Sequence, residues 1–139
     1  MGAEQVMEVI DETIGDRPLY ITFDLDCLDP MVAPGVANIE AGIEGFGIDQ
    51  VMELLRCVRG KNVIGGDVVC LMPTVDSPNQ ITSYRSMAIM FEMMVRYPPF
   101  YSDDPVTTCK KIVNWRTYLT FPDDSDLGPE AKDLIQRLM

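Results

Sequence analysis

The stretch Leu19-Tyr20-Ile21-Thr22-Phe23-Asp24-Leu25-Asp26-Cys27-Leu28-Asp29-Pro30 is an apolar, β-prone run that ends abruptly in acids, and the rest of the chain is read outward from it. Residues two apart on an extended strand point the same way, so Asp24 and Asp26 are expected to project two carboxylates to one face at the strand's carboxyl end. Open α/β sheets bind ligands at such strand ends. Two carboxylates this close repel unless something positive lies between them, and a hard or borderline divalent cation is the usual answer. A metal half-site is one reading. A strand end closed by a solvated Asx turn is the other.

On the amino-terminal side, Val6, Val9, Ile10 and Ile14 recur near helical spacing with acids on the opposite face, which predicts an amphipathic helix over 3–14. Gly15-Asp16 breaks it, and residues 19–25 are apolar enough to predict a strand buried on both faces of a parallel sheet. On the other side, Pro34, Gly35, Gly42, Gly45 and Gly47 predict a long loop over 30–47, of the length that tends to carry function. Val51, Met52, Leu54, Leu55 and Val58 then mark a helix over 48–58 closed by Gly60, and Asn62 to Val69 reads as a second buried strand. Strand, helix and strand make a βαβ unit. A further apolar helix is expected over 80–96.

With 139 residues and 47% hydrophobic content the chain is about one domain long and can bury a modest core. Its formal charge of −11 argues against nucleic acid and anionic membranes as partners and suits a small cationic ligand better. No apolar run is long enough to span a bilayer, and Glu4, Glu8, Asp11 and Glu12 stand where a signal peptide would be basic, so a cytoplasmic location is expected. Cys27, Cys57, Cys70 and Cys109 are scattered, which favours reduced thiols over disulfides or a zinc site. The chain contains no histidine, which excludes histidine general-base catalysis, Ser-His triads and histidine-ligated metals.

The string from Phe23 to Pro30, followed by Ala33-Pro34-Gly35 and by Gly65-Gly66-Asp67-Val68-Val69, resembles the ureohydrolase family of arginases and agmatinases. The resemblance implies a three-layer α/β fold, of which residues 1–87 would be a carboxyl-terminal part. It also implies a two-manganese cluster that activates water to attack a guanidinium carbon, with Asp24 bridging the metals and Asp26 binding one of them. The family's remaining histidine and aspartate ligands have no counterpart here, so only a manganese half-site is expected. Cys70 stands where the family commonly has a glutamate that contacts the guanidino substrate, and a thiol cannot offer the bidentate carboxylate a guanidinium prefers. Glu40 and Asp76 fall where the family often has acids, and neither is assigned a role. A truncated hydrolase of guanidino C–N bonds, inactive alone or completed by a partner chain that brings histidines, is the expectation.

From Ala88 to Ile135 a second resemblance begins. The run Arg96-Tyr97-Pro98-Pro99-Phe100-Tyr101-Ser102-Asp103-Asp104-Pro105, with Lys110 to Arg116 and Pro129 to Ile135, is similar to the lower C-lobe of AGC-type serine/threonine kinases of the nuclear-Dbf2-related branch. This implies an all-α segment over 88–139, a noncatalytic interaction module, because the residues of phosphoryl transfer lie upstream in that family. The residues themselves predict a helix from Pro105 to Trp115, an acidic loop at Asp123-Asp124-Ser125-Asp126, a last helix opened by Pro129, and Trp115 and Phe121 as core anchors. Charge shifts along the chain as well: residues 1–84 hold 14 acids against 4 bases, and residues 85–139 hold 8 against 7. A fusion of two pieces, meeting in the helix around Met87 to Met94, is the expected organisation.

Overall fold

The computed structural model describes residues 3–39, 44–95, 100, 102–123 and 127–138. The order of elements is α1 (Ala3–Ile14), β1 (Leu19–Asp24), α2 (Ile48–Cys57), β2 (Val63–Val69), α3 (Ile81–Val95), α4 (Pro105–Val113), α5 (Trp115–Tyr118) and α6 (Pro129–Leu138). Glu40, Arg96 to Pro99, and the acids Asp124 and Asp126 with Ser125 lie outside the described residues.

Helix α1 ends where Gly15 takes φ +57° and donates its N–H to Asp11 O at 3.0 Å, a left-handed stop that glycine adopts without penalty. Helix α2 begins at Gly47, whose N–H donates to Gln50 Oε1 at 2.9 Å, and Asp49 adds an acid to its first turn. It packs against α1, which the Lys61–Asp11 ion pair also holds.

Strands β1 and β2 pair in parallel, Tyr20 beside Gly65, Thr22 beside Asp67 and Asp24 beside Val69, with α2 in the crossover. The βαβ unit is therefore formed as its pattern predicts. The expectation of burial on both faces is not met: Leu19, Ile21 and Phe23 are half-buried, whereas Tyr20, Thr22 and Asp24 are exposed. The reason is one-sided packing. Helix α3 lies on β2, close enough that a Cβ on Gly66 would stand 2.5 Å from Met93 Cε. On the other face, Tyr20 and Thr22 turn their hydroxyls to Asp67 at 2.9 and 2.6 Å.

The main core gathers Leu25, Leu28, Ala33, Val36, Val51 and Ile89, with Phe23, Met52, Val68 and Met93 packed around it. Fully burying a side chain such as Leu25 or Ile89 stabilises the fold by about 1.5–3 kcal/mol. A second cluster joins Phe91 and Val95 of α3 to Ile135 of α6, and Phe121 stacks on Phe91 with ring centroids 6.0 Å apart. Phe121 is thus the expected anchor. Trp115 is only half-buried, in no core cluster, with the Arg116 guanidinium 4.7 Å from its ring.

Residues 30–39 and 44–47 hold no helix or regular strand, as the glycines and prolines suggest, and are tied in by isolated bridges from Leu28 to Phe46 and from Val36 to Leu71. Helix α4 opens as its sequence predicts, with Asp104 accepting from the N–H groups of Val106 and Thr107 before Pro105 sets the first turn. It stops at Asn114 rather than running to Trp115. Asn114 adopts φ −108°, ψ 38° and its side-chain amide donates back to Lys110 O, so α5 starts as a separate turn. Helix α3 runs unbroken across residues 87 and 88. Among the described residues, no helix is long and apolar enough to cross a membrane.

Candidate metal centre

Asp24 is the last residue of β1, and the chain does not continue extended beyond it. Leu25–Cys27 form a single 3-10 turn, which Asp24 caps by accepting the Asp26 N–H at 2.9 Å. Asp26 is therefore not on the strand, and strand alternation does not align the two carboxylates. The Asx turn of the plainer reading is present. Yet the turn itself folds Asp26 back beside Asp24, so the two carboxylates meet by a different local geometry from the one expected.

The third member comes from β2. Because the strands are parallel and Asp24 pairs with Val69, the residue after β2 lands beside the end of β1. That residue is Cys70. Its donor atom and those of Asp24 and Asp26 all lie within 4.8 Å of one another, with Asp24 exposed and the other two half-buried. Cys70 adopts φ +67°, a region L-residues seldom occupy, and its carbonyl accepts the Ala37 N–H at 2.9 Å. The neighbouring carboxylate of Asp24 first, then burial and the charge of Asp26, push its thiol up to about 11. Cys27 lies outside this group, and its thiol is also raised, by burial and then by the charge of Asp24. Sequence reasoning had Cys70 only as the residue standing in a glutamate's place. The signal that would have added it to the pair was the register of a parallel βαβ unit.

Among the described residues, no Lys or Arg forms an ion pair with Asp24 or Asp26. Two carboxylates and a thiol converging without a protein cation fit a divalent ion through mixed oxygen and sulfur ligands. Asp29, the third acid of the opening stretch, does something else: its carboxylate accepts the Met31 N–H and its carbonyl those of Val32 and Ala33, which turns the chain. Beside the centre, a cleft of about 470 Å³ is lined by Asp26, Cys27, Glu44, Phe46 and Gln50 among others, with two acids and no base among the described residues.

Asp76 belongs to the scaffold. Its carboxylate accepts N–H groups from Ser77, Thr82 and Ser83 and the Ser83 hydroxyl, so it caps α3. Burial raises this carboxyl, but the bonds from Ser83 and Thr82 outweigh it and hold the group well below the usual carboxylate range. Gly35 rests on it: a Cβ there would stand 2.6 Å from Asp76 Cβ, and the Gly35 N–H donates to Thr82 Oγ1 at 2.8 Å.

With this geometry in hand, the comparisons with known proteins are specific. Residues 1–95 match the Arginase family. An agmatinase of Photorhabdus laumondii is 40% identical over 93 residues, which cover 67% of this chain and 29% of the relative, and one from Citrobacter koseri is 34% identical over the same spans. Among solved structures, the proclavaminate amidino hydrolase of Streptomyces clavuligerus superposes with a TM-score of 0.61 at 35% identity, covering 66% of this chain and 30% of that one. A hypothetical agmatinase from Burkholderia thailandensis gives 0.55 at 33%, covering 84% and 30%. The chain thus spans about three-tenths of these relatives. The comparisons give no support to the kinase C-lobe likeness of residues 88–139.

Proposed function

The chain belongs to the arginase family, and from that premise we propose that it carries the carboxylate half of a manganese-dependent ureohydrolase centre, at Asp24 and Asp26, without hydrolysing guanidino compounds by itself. The observation that supports this reading is the convergence of both carboxylates at the joined carboxyl ends of β1 and β2, with no ion pair to a Lys or Arg among the described residues. Asp24 and Asp26 would hold the divalent ions, which when bound would supply an activated water for attack on a guanidinium carbon. Asp24 and Asp26 hold negative charge toward the ions, and the acid-lined cleft beside Asp26 receives the positive end of a guanidino substrate, agmatine or arginine in type. Two carboxylates leave most of a coordination shell to water, so manganese binding is weak. With no histidine in the sequence, proton transfer by imidazole is absent.

Titration of the purified chain with manganese tests this, with free ion measured by its electron paramagnetic resonance. Weak binding, diminished by Asp24→Asn and by Asp26→Asn, and no urea released from agmatine or arginine, is the expected result. Binding unchanged by both substitutions removes the reading, and urea release abolished by Asp24→Asn overturns the proposed inactivity.

A second reading concerns residues 97–139, a noncatalytic interaction module of kinase C-lobe type joined to the family's part. The family match ends at residue 95, whereas the Burkholderia thailandensis structure covers 84% of the chain and so reaches beyond it. Sequencing the natural message across codons 80–100 decides it: a transcript without the junction removes the fusion.

A further inference from the structure

We propose that Cys70 is a third protein ligand of the cation held by Asp24 and Asp26, making this a mixed carboxylate–thiolate site that selects thiophilic divalent ions such as cadmium, zinc or cobalt over manganese. The inference rests on the reading of Asp24 and Asp26 as metal ligands and adds to it the identity of the metal. Donor atoms bound tetrahedrally to one ion at about 2.0–2.3 Å stand roughly 3.5 Å apart, so a triad already within 4.8 Å needs only small side-chain rotations to close on an ion. The residue type then decides preference. Carboxylate and water suit manganese, whereas thiolate is a soft ligand that favours zinc and its heavier congeners.

The placement of Cys70 is fixed by backbone on three sides: pairing of β2 with β1 up to Val69, the Ala37 N–H on its carbonyl, and the bridge from Leu71 to Val36. Cys27 is near in sequence to both aspartates, but it opens onto the neighbouring cleft and is not among the three converging donors. When the cation binds, a metal–sulfur bond forms and the Cys70 thiol proton leaves to solvent, one proton per ion. Three anionic donors then face a single divalent charge.

The test titrates the full chain with cadmium, in a background with Cys57→Ser and Cys109→Ser, and follows thiolate-to-metal charge-transfer absorption in the near ultraviolet. We expect the band to saturate at one ion per chain, to vanish in Cys70→Ser and to persist in Cys27→Ser. The preference for cadmium over manganese should drop at least about tenfold in Cys70→Ser, while the weak manganese binding survives. A band that persists in Cys70→Ser, or that Cys27→Ser abolishes, overturns the inference. If manganese binding still depends on Asp24 in that case, the family reading stands and only Cys70 loses its role; if no variant binds manganese or cadmium, both fall.

Discussion

Glu92 is 2% exposed on α3, with Oε1 3.4 Å from Arg56 Nε and 3.1 Å from Arg59 Nη2, while its Oε2 has no hydrogen-bond partner among the described residues. The two guanidinium groups are almost half exposed and keep access to water. Loss of one partner is therefore asymmetric. Removing both arginines by Ala substitution strands a buried carboxyl and should cost about 3 kcal/mol, whereas Glu92→Met, of similar volume, should be neutral or stabilise by roughly 1 kcal/mol. Urea unfolding midpoints at constant slope decide the order, and a Glu92→Met protein that is the less stable of the two contradicts it. Asp76 sets a pH dependence. Its folded-state affinity for a proton is depressed below the ordinary value of 3.8, so its contribution is complete above the ordinary carboxylate range and drains away as pH falls below about 3.8 towards the lowered value. Asp76→Asn should flatten that acid limb and cost about 1 kcal/mol at neutral pH through the weakened cap, read from thermal unfolding across pH 2–7.

At the scale of elements, the contact between Gly35 and the Asp76 turn joins the loop after β1 to the start of α3. Gly35→Ala drives a methyl into Asp76 Cα, Cβ and Cγ, backbone and short side chain that have little room to give, and should cost about 1–3 kcal/mol by the same unfolding measurement. Helix α6 depends on Ile135, buried against Phe91 and Val95, so Ile135→Ala should lower stability by about 2–4 kcal/mol. Most of these elements were legible in advance because their signals are local: helical spacing in α1 and α2, Pro105 and Pro129 at helix starts, glycines at ends. The pairing of Asp24 with Asp26 was legible as residues but not as geometry. Asp26 leaves the strand because the Asp24 carboxylate offers its N–H a local partner, an option alternation cannot reveal. One-sided burial of β1 and the approach of Cys70 depend on what packs where across some 45 residues, which no window of the sequence contains.

Over the whole molecule, a two-stranded sheet leaves both strand edges without a neighbour among the described residues. Beside β2, Ile64 is 66% exposed and joins Met90, Met93, Met94, Leu127 and Leu134 in an apolar groove of about 550 Å³. The charge of −11 opposes self-association at low ionic strength, and salt screens it within roughly 10 Å at 0.1 M. Light scattering should therefore rise with added salt, and Ile64→Glu should suppress that rise; equal scattering of the two proteins would show that this edge is not the contact. The pairing of Asp24 with Val69 carries one more implication. A slip of a single residue between the strands displaces Cys70 by about 3.3 Å and reverses the faces, dispersing the triad. A bound cation would then act as an arbiter of alignment, stabilising only chains whose strands have zipped in step, and heating scans with cadmium present should show that selection as a later melt.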